Sequence, residues 1–112
     1  MLLTFSLEAM GDDNNPNSVR TLMKDCGSEQ AVNRYYCLGY VAGILHGFGI
    51  KLVDESNEAV REPLFCPSER VTADQASQIF INWAEQNPEQ WNADTWIGVV
   101  NALIEVYPCD RE

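Results

Sequence analysis

Four cysteines, Cys26, Cys37, Cys66 and Cys109, in a chain of 112 residues with a single histidine constrain this protein more than any other feature of its sequence. A domain of this size buries a smaller share of its surface than a large one, so its stability margin is narrow and covalent staples strengthen it. No CxxC pair occurs and the intervals between the cysteines match no zinc-finger spacing, so neither a metal site nor a cofactor is expected. An even number of cysteines in a short acidic chain points instead to disulfides made in an oxidising compartment. The cysteines allow three connectivities, and sequence alone does not choose among them.

Hydrophobic periodicity supplies the skeleton on which to place them. The stretch Gly11 to Asn17, rich in Asp and Asn with one Pro, holds no regular structure, and 1–17 reads as a flexible leader before a single helical domain, 18–112. Leu2, Leu3, Phe5 and Leu7 resemble the stub of a signal-peptide apolar region without its basic flank, as in a processed or truncated start. Ser18 is placed to cap a first helix carrying Val19, Leu22, Met23 and Cys26, which Gly27 ends. Ser28 is a second cap candidate, and Ala31, Tyr35, Leu38, Ala42 and Leu45 predict a second helix to about His46. Inside it Gly39 and Gly43 lie four apart, with Gly47 beyond. Interior glycines cost a helix roughly 1 kcal/mol each, which suggests a close backbone approach by a neighbouring helix or a second subunit.

Periodicity lapses between Phe48 and Pro67, predicting a long connection with a short helical turn around Asn57 to Arg61. Thr72 and Gln75 form a capping-box pattern ahead of Ala76, Ile79, Phe80 and Trp83, and this third helix should stop near Asn87, before Pro88. Ala93, Trp96, Ile97, Val100, Leu103, Ile104 and Tyr107 then mark the apolar face of a fourth helix, ended by Pro108. No segment alternates with a period of two and no Asn-Gly or Asp-Gly hairpin signal occurs, so the fold class is all-α, a small bundle of about four main helices. On that skeleton Cys26 and Cys37 belong to adjacent antiparallel helices, and Cys66 and Cys109 lie at the outer ends of a helical hairpin. Cys26 with Cys37 and Cys66 with Cys109 is the natural pairing.

Seventeen acidic against seven basic residues give a formal charge of -10, which repels nucleic acid phosphates and anionic lipid headgroups. From Val71 to Asp110 there is no Lys or Arg, while Asp74, Glu85, Glu89, Asp94, Glu105 and Asp110 are all acidic, an asymmetry that steers a basic protein partner to this half or merely keeps the surface solvated. No stretch approaches the roughly 18 to 20 apolar residues of a spanning helix. Catalysis finds few candidates. His46 has no thiol to work with if all four cysteines are oxidised, and a histidine near a helix C-terminus suits the dipole there. Gly47-Phe48-Gly49 follows no strand and has no downstream lysine, so it is not a phosphate loop. The expectation is a binding protein, not an enzyme, with no catalytic residues.

The segments CLGYVAG (Cys37 to Gly43), FCPSERVTADQ (Phe65 to Gln75), the Asn-Pro-Glu turn at 87–89 and NALIEVYPC (Asn101 to Cys109), in that order, resemble the Tai-type immunity family over about Ser18 to Cys109. The resemblance implies an all-helical periplasmic protein, a homodimer, that binds a cysteine amidase toxin of type VI secretion and blocks its active-site groove, protecting peptidoglycan. It supports the two disulfides. On this reading the partner-binding residues are those of the turn between the third and fourth helices, Glu85, Gln86, Asn87, Glu89, Gln90, Trp91 and Asp94. Trp91 serves as an interface anchor if exposed or as a core residue at the helix start if not. A periplasmic helper or chaperone-like protein that binds other proteins is the alternative.

Overall fold

The computed structural model describes residues 15–110. The first fourteen positions of the expected leader lie outside the described residues. Helix α1, Val19–Cys26, begins where the Ser18 hydroxyl accepts the Thr21 amide at 3.2 Å. The Asn15 carbonyl receives the Thr21 hydroxyl, so the chain is hydrogen-bonded from Asn15 onward. Helix α2, Ala31–Phe48, starts later than Ser28 suggests, with Gln30 at the cap position and no side-chain cap. Ser28 braces the turn instead, its hydroxyl accepting the Gln30 amide at 3.0 Å and the Asn33 side-chain amide at 3.2 Å.

A small antiparallel hairpin follows, β1 Leu52–Val53 against β2 Ala59–Arg61. It replaces the helical turn expected at Asn57 to Arg61. The cause is Asp54, whose carboxylate accepts the backbone amides of Ser56 and Glu58 at 2.9 and 3.0 Å and the Ser56 hydroxyl at 2.8 Å. Such an Asx-type turn competes with helix formation, and Asn57 completes it at a φ of 67°, a left-handed conformation that asparagine tolerates better than most residues. Arg61 ties the hairpin back to the bundle. Its guanidinium lies 5.1 Å from the centre of the Phe48 ring and donates to the Gly47 carbonyl, at the electronegative end of α2.

Helix α3, Ala73–Gln86, carries the expected capping box, with the Gln75 amide on the Thr72 hydroxyl at 3.1 Å and the Thr72 amide on the Gln75 side chain at 2.9 Å. A single 3-10 turn, Pro88–Gln90, leads to α4, Thr95–Val106. The four helices of the described residues all touch one another around a core of Val19, Leu22, Val41, Phe65, Phe80, Val99 and Leu103. Both expected disulfides are formed, with Cα separations of 5.0 Å for Cys26–Cys37 and 4.8 Å for Cys66–Cys109.

Two helix faces are rotated from their expected orientation. In α2 the buried residues are Cys37, Val41, Ile44 and Leu45, whereas Tyr35, expected inside, is 68% exposed. This helix is apolar on nearly every side, so periodicity does not say which side is the core, and the Cys37 clasp decides. In α4 Val100 and Leu103 are buried as expected, but the buried stripe also takes in Thr95, Gly98, Val99 and Ala102, while Trp96 and Ile104 face outward. The close approach expected at Gly39, Gly43 and Gly47 is absent among the described residues, where a Cβ at any of them meets nothing within 4 Å. It occurs at Gly98, where a Cβ falls 2.5 Å from Val19 Cγ2, so α1 packs on α4 because that side chain is missing.

Candidate partner-binding site

The residues of the turn between α3 and α4 divide into those that hold it and those that face solvent. Asn87 and Trp91 hold it. The Asn87 side-chain amide donates to the Trp83 carbonyl at 2.8 Å, the Trp91 indole N–H donates to the Ala84 carbonyl at 2.7 Å, and the Arg20 guanidinium stands 5.2 Å from the Trp91 ring centre. Trp91 is thus half-buried against the core, which matches the core reading of this residue. Glu85, Gln86, Glu89 and Asp94 are exposed, and Gln90 is half-buried. None of the described residues covers the three carboxylates among them.

The turn is clamped by the entry to α1. The Val19 amide donates to the Ala93 carbonyl and the Arg20 amide to the Trp91 carbonyl, each at 2.9 Å, and the Thr95 amide donates to the Asn17 carbonyl at 2.8 Å. Arg20 adds a side-chain bond to Asn92 Oδ1 at 3.3 Å. A surface pinned at so many points loses little conformational entropy when it binds, which favours affinity.

Beside the clamp lies a pocket of about 260 Å³ lined by Asn17, Tyr40, Asp94, Thr95 and Trp96. Of these only Asp94 belongs to the turn expected from the sequence to bind a partner. Tyr40 is half-buried, and burial first, then the neighbouring Tyr36 and Asp94, push its phenol above the ordinary tyrosine range, so it stays protonated. The Thr95 hydroxyl is buried and makes no hydrogen bond to any of the described residues. Trp96, 46% exposed, stacks on Phe48 with ring centres 6.3 Å apart. Tyr36 and Tyr40 pair at 6.1 Å, so aromatic surface runs from α2 across to the start of α4. Trp96 was hidden in the sequence because it obeys the apolar spacing of α4. The available signal was the row Thr95, Gly98 and Ala102, whose small side chains mark the side a neighbouring helix approaches.

His46 is exposed and borders a second pocket of about 280 Å³ with Glu69 and Arg70. Both disulfides consume the cysteines, leaving no thiol for it to activate. No helix among the described residues is long and apolar enough to cross a membrane.

Fold and surface together define a helical scaffold closed by disulfides that presents a rigid, acidic and aromatic face. The Rap1a immunity proteins match residues 18–109, from the cap of α1 to the last cysteine, and the chain belongs to that family. It is therefore an immunity protein by family, a class that binds toxin proteins and is generally non-enzymatic. The Tai-type resemblance and this assignment agree at the level of immunity proteins. No curated protein and no solved structure matches the chain.

Proposed function

We propose that this protein is a periplasmic immunity protein of the Tai type that binds a peptidoglycan amidase delivered by type VI secretion and inhibits it by blocking the active-site groove. The family match over the whole described fold carries this reading. Two disulfides suit the oxidising periplasm. The contact falls on the clamped turn, with Glu85, Gln86, Glu89, Gln90 and Asp94 facing the toxin and Asn87 and Trp91 holding their geometry. A surface without Lys or Arg from Val71 to Asp110 steers a basic enzyme surface toward it. The homodimer forms through the outer face of α2, where Val32, Tyr35 and Tyr36 are exposed and the glycines leave room for a second backbone.

The decisive experiment exports a candidate amidase to the periplasm with and without this protein and measures lysis, then mixes the purified proteins and measures peptidoglycan cleavage. Rescue, loss of cleavage and a complex of equal stoichiometry support the reading. Broad binding of unfolded proteins without inhibition of any amidase refutes it and favours a helper role.

A further inference from the structure

We propose that the pocket between the start of α4 and the middle of α2 receives a lysine side chain of the protein partner. The inference deepens the toxin-binding reading and rests on it for the source of that lysine. Its chemistry comes from the five lining residues. Asp94 brings a carboxylate to the pocket lining, and no Lys or Arg among the described residues lines the pocket to neutralise it. The N-terminus of α4 opposes a cation with about half a positive charge, which the Asp94 carboxylate outweighs.

Thr95 is the second, independent pointer. It is only 5% exposed, it lines the pocket, and its hydroxyl oxygen has no hydrogen-bond partner among the described residues. A buried hydroxyl left unpaired is costly, and native proteins keep few of them unless something arrives to satisfy them. An ammonium group offers three N–H donors and no acceptor. Asp94, Thr95, Asn17 and Tyr40 each carry a side-chain oxygen, and all four line one small volume. The rings of Tyr40 and Trp96, which also line it, favour a cation over a neutral donor and accommodate the apolar methylene stem. Arginine fits less well, because a bidentate pair with the single carboxylate leaves the Thr95 hydroxyl unmet.

The test titrates the full, isotopically labelled chain with N-acetyl-lysine-methylamide and, in parallel, with the norleucine and arginine analogues, following the Thr95 and Trp96 amides and the Trp96 indole by NMR. Saturable shifts with the lysine probe, weaker ones with arginine and none with norleucine are expected. The half-saturation point should rise by about fivefold in D94N, consistent with loss of one partly exposed charge pair. A smaller rise is expected in T95V, and unchanged dispersion of the remaining resonances shows that both variants are folded. Equal shifts with norleucine, or an unchanged titration in D94N, overturn the pocket assignment whether or not the protein inhibits an amidase. Lysine-specific binding in a protein that inhibits no amidase leaves the pocket standing and overturns only the identity of the partner.

Discussion

Replacing Gly98 by alanine separates helix propensity from helix packing at the seam between α1 and α4. In an isolated helix the change gains about 1 kcal/mol, because alanine loses less backbone entropy. Here the new methyl lands 2.5 Å from Val19 Cγ2, 3.3 Å from Trp83 Cζ3 and 3.4 Å from Phe80 Cε1. Val19 and Phe80 are fully buried, and a helical valine is stiff at χ1, so the closest neighbour has no free rotamer into which to retreat. Overpacking of this kind costs about 1 to 3 kcal/mol, and this geometry belongs in the upper half of that range. The net loss is then about 1 to 2 kcal/mol, a fall of roughly 5 to 15 °C in Tm for a domain of this size. Urea unfolding followed by tryptophan fluorescence measures it. G43A is the control within one chain, with no atom of the described residues within 4 Å of its Cβ, and at concentrations where the chain is monomeric it should gain about 0.5 to 1 kcal/mol. Adding V19A to G98A should recover part of the loss, a coupling of at least about 0.5 kcal/mol. A G98A protein as stable as the parent, or one whose loss V19A does not relieve, refutes the packing argument.

The disulfides should differ in worth with the length of chain they close. Separations of 11 and 43 residues give, on the chain-entropy account, about 3 kcal/mol for Cys26–Cys37 and about 4 kcal/mol for Cys66–Cys109. Paired serine variants compared by urea unfolding check the order. Backbone and hydroxyl hydrogen bonds hold the Asp54 carboxyl below the usual value of 3.8, so its contribution is complete above the unfolded pKa and is lost as pH falls through the folded one. Protection of the Ser56 and Glu58 amides, their exchange measured against the intrinsic rate at each pH, should therefore fall only below about pH 4, and D54N should flatten that dependence. Trp96→Ala, which removes the stack on Phe48, should cost about 1 kcal/mol of stability and weaken toxin binding by about tenfold, measured by calorimetry; unimpaired binding removes Trp96 from the interface.

Much of this fold is legible in sequence where one residue type has one physical use. Ser18, the Thr72 and Gln75 box, and Pro108 after α4 mark helix ends by hydrogen-bonding chemistry that acts over three or four residues. Four cysteines on two helical hairpins leave one comfortable pairing. The unreadable parts depend on choices between near-equals. An α2 that is apolar on most sides offers several possible cores. The α4 pattern fits two overlapping faces, and tertiary contact with Val19 selects the one with the smallest side chains. The hairpin at 52–61 hinges on one aspartate whose bonds to local amides outcompete a helical turn that the composition allows. The pocket lay beyond sequence reasoning because Asn17, Tyr40 and Asp94 to Trp96 come from three separated segments that only the clamp of the α1 entry brings together.

The cysteines pair in chain order, first with second and third with fourth, and neither loop encloses the other. In a chain whose thiols become available in order from the N-terminus, the first clasp can close before the third cysteine exists as a competitor. The second pair then has only itself to find. Such an arrangement needs no reshuffling of wrong bridges, the slow step of oxidative folding, because the order of synthesis already writes the correct pairing. The oxidised molecule then assembles as two closed loops joined by 38–65, and what remains is the docking of α1 and α2 onto α3 and α4.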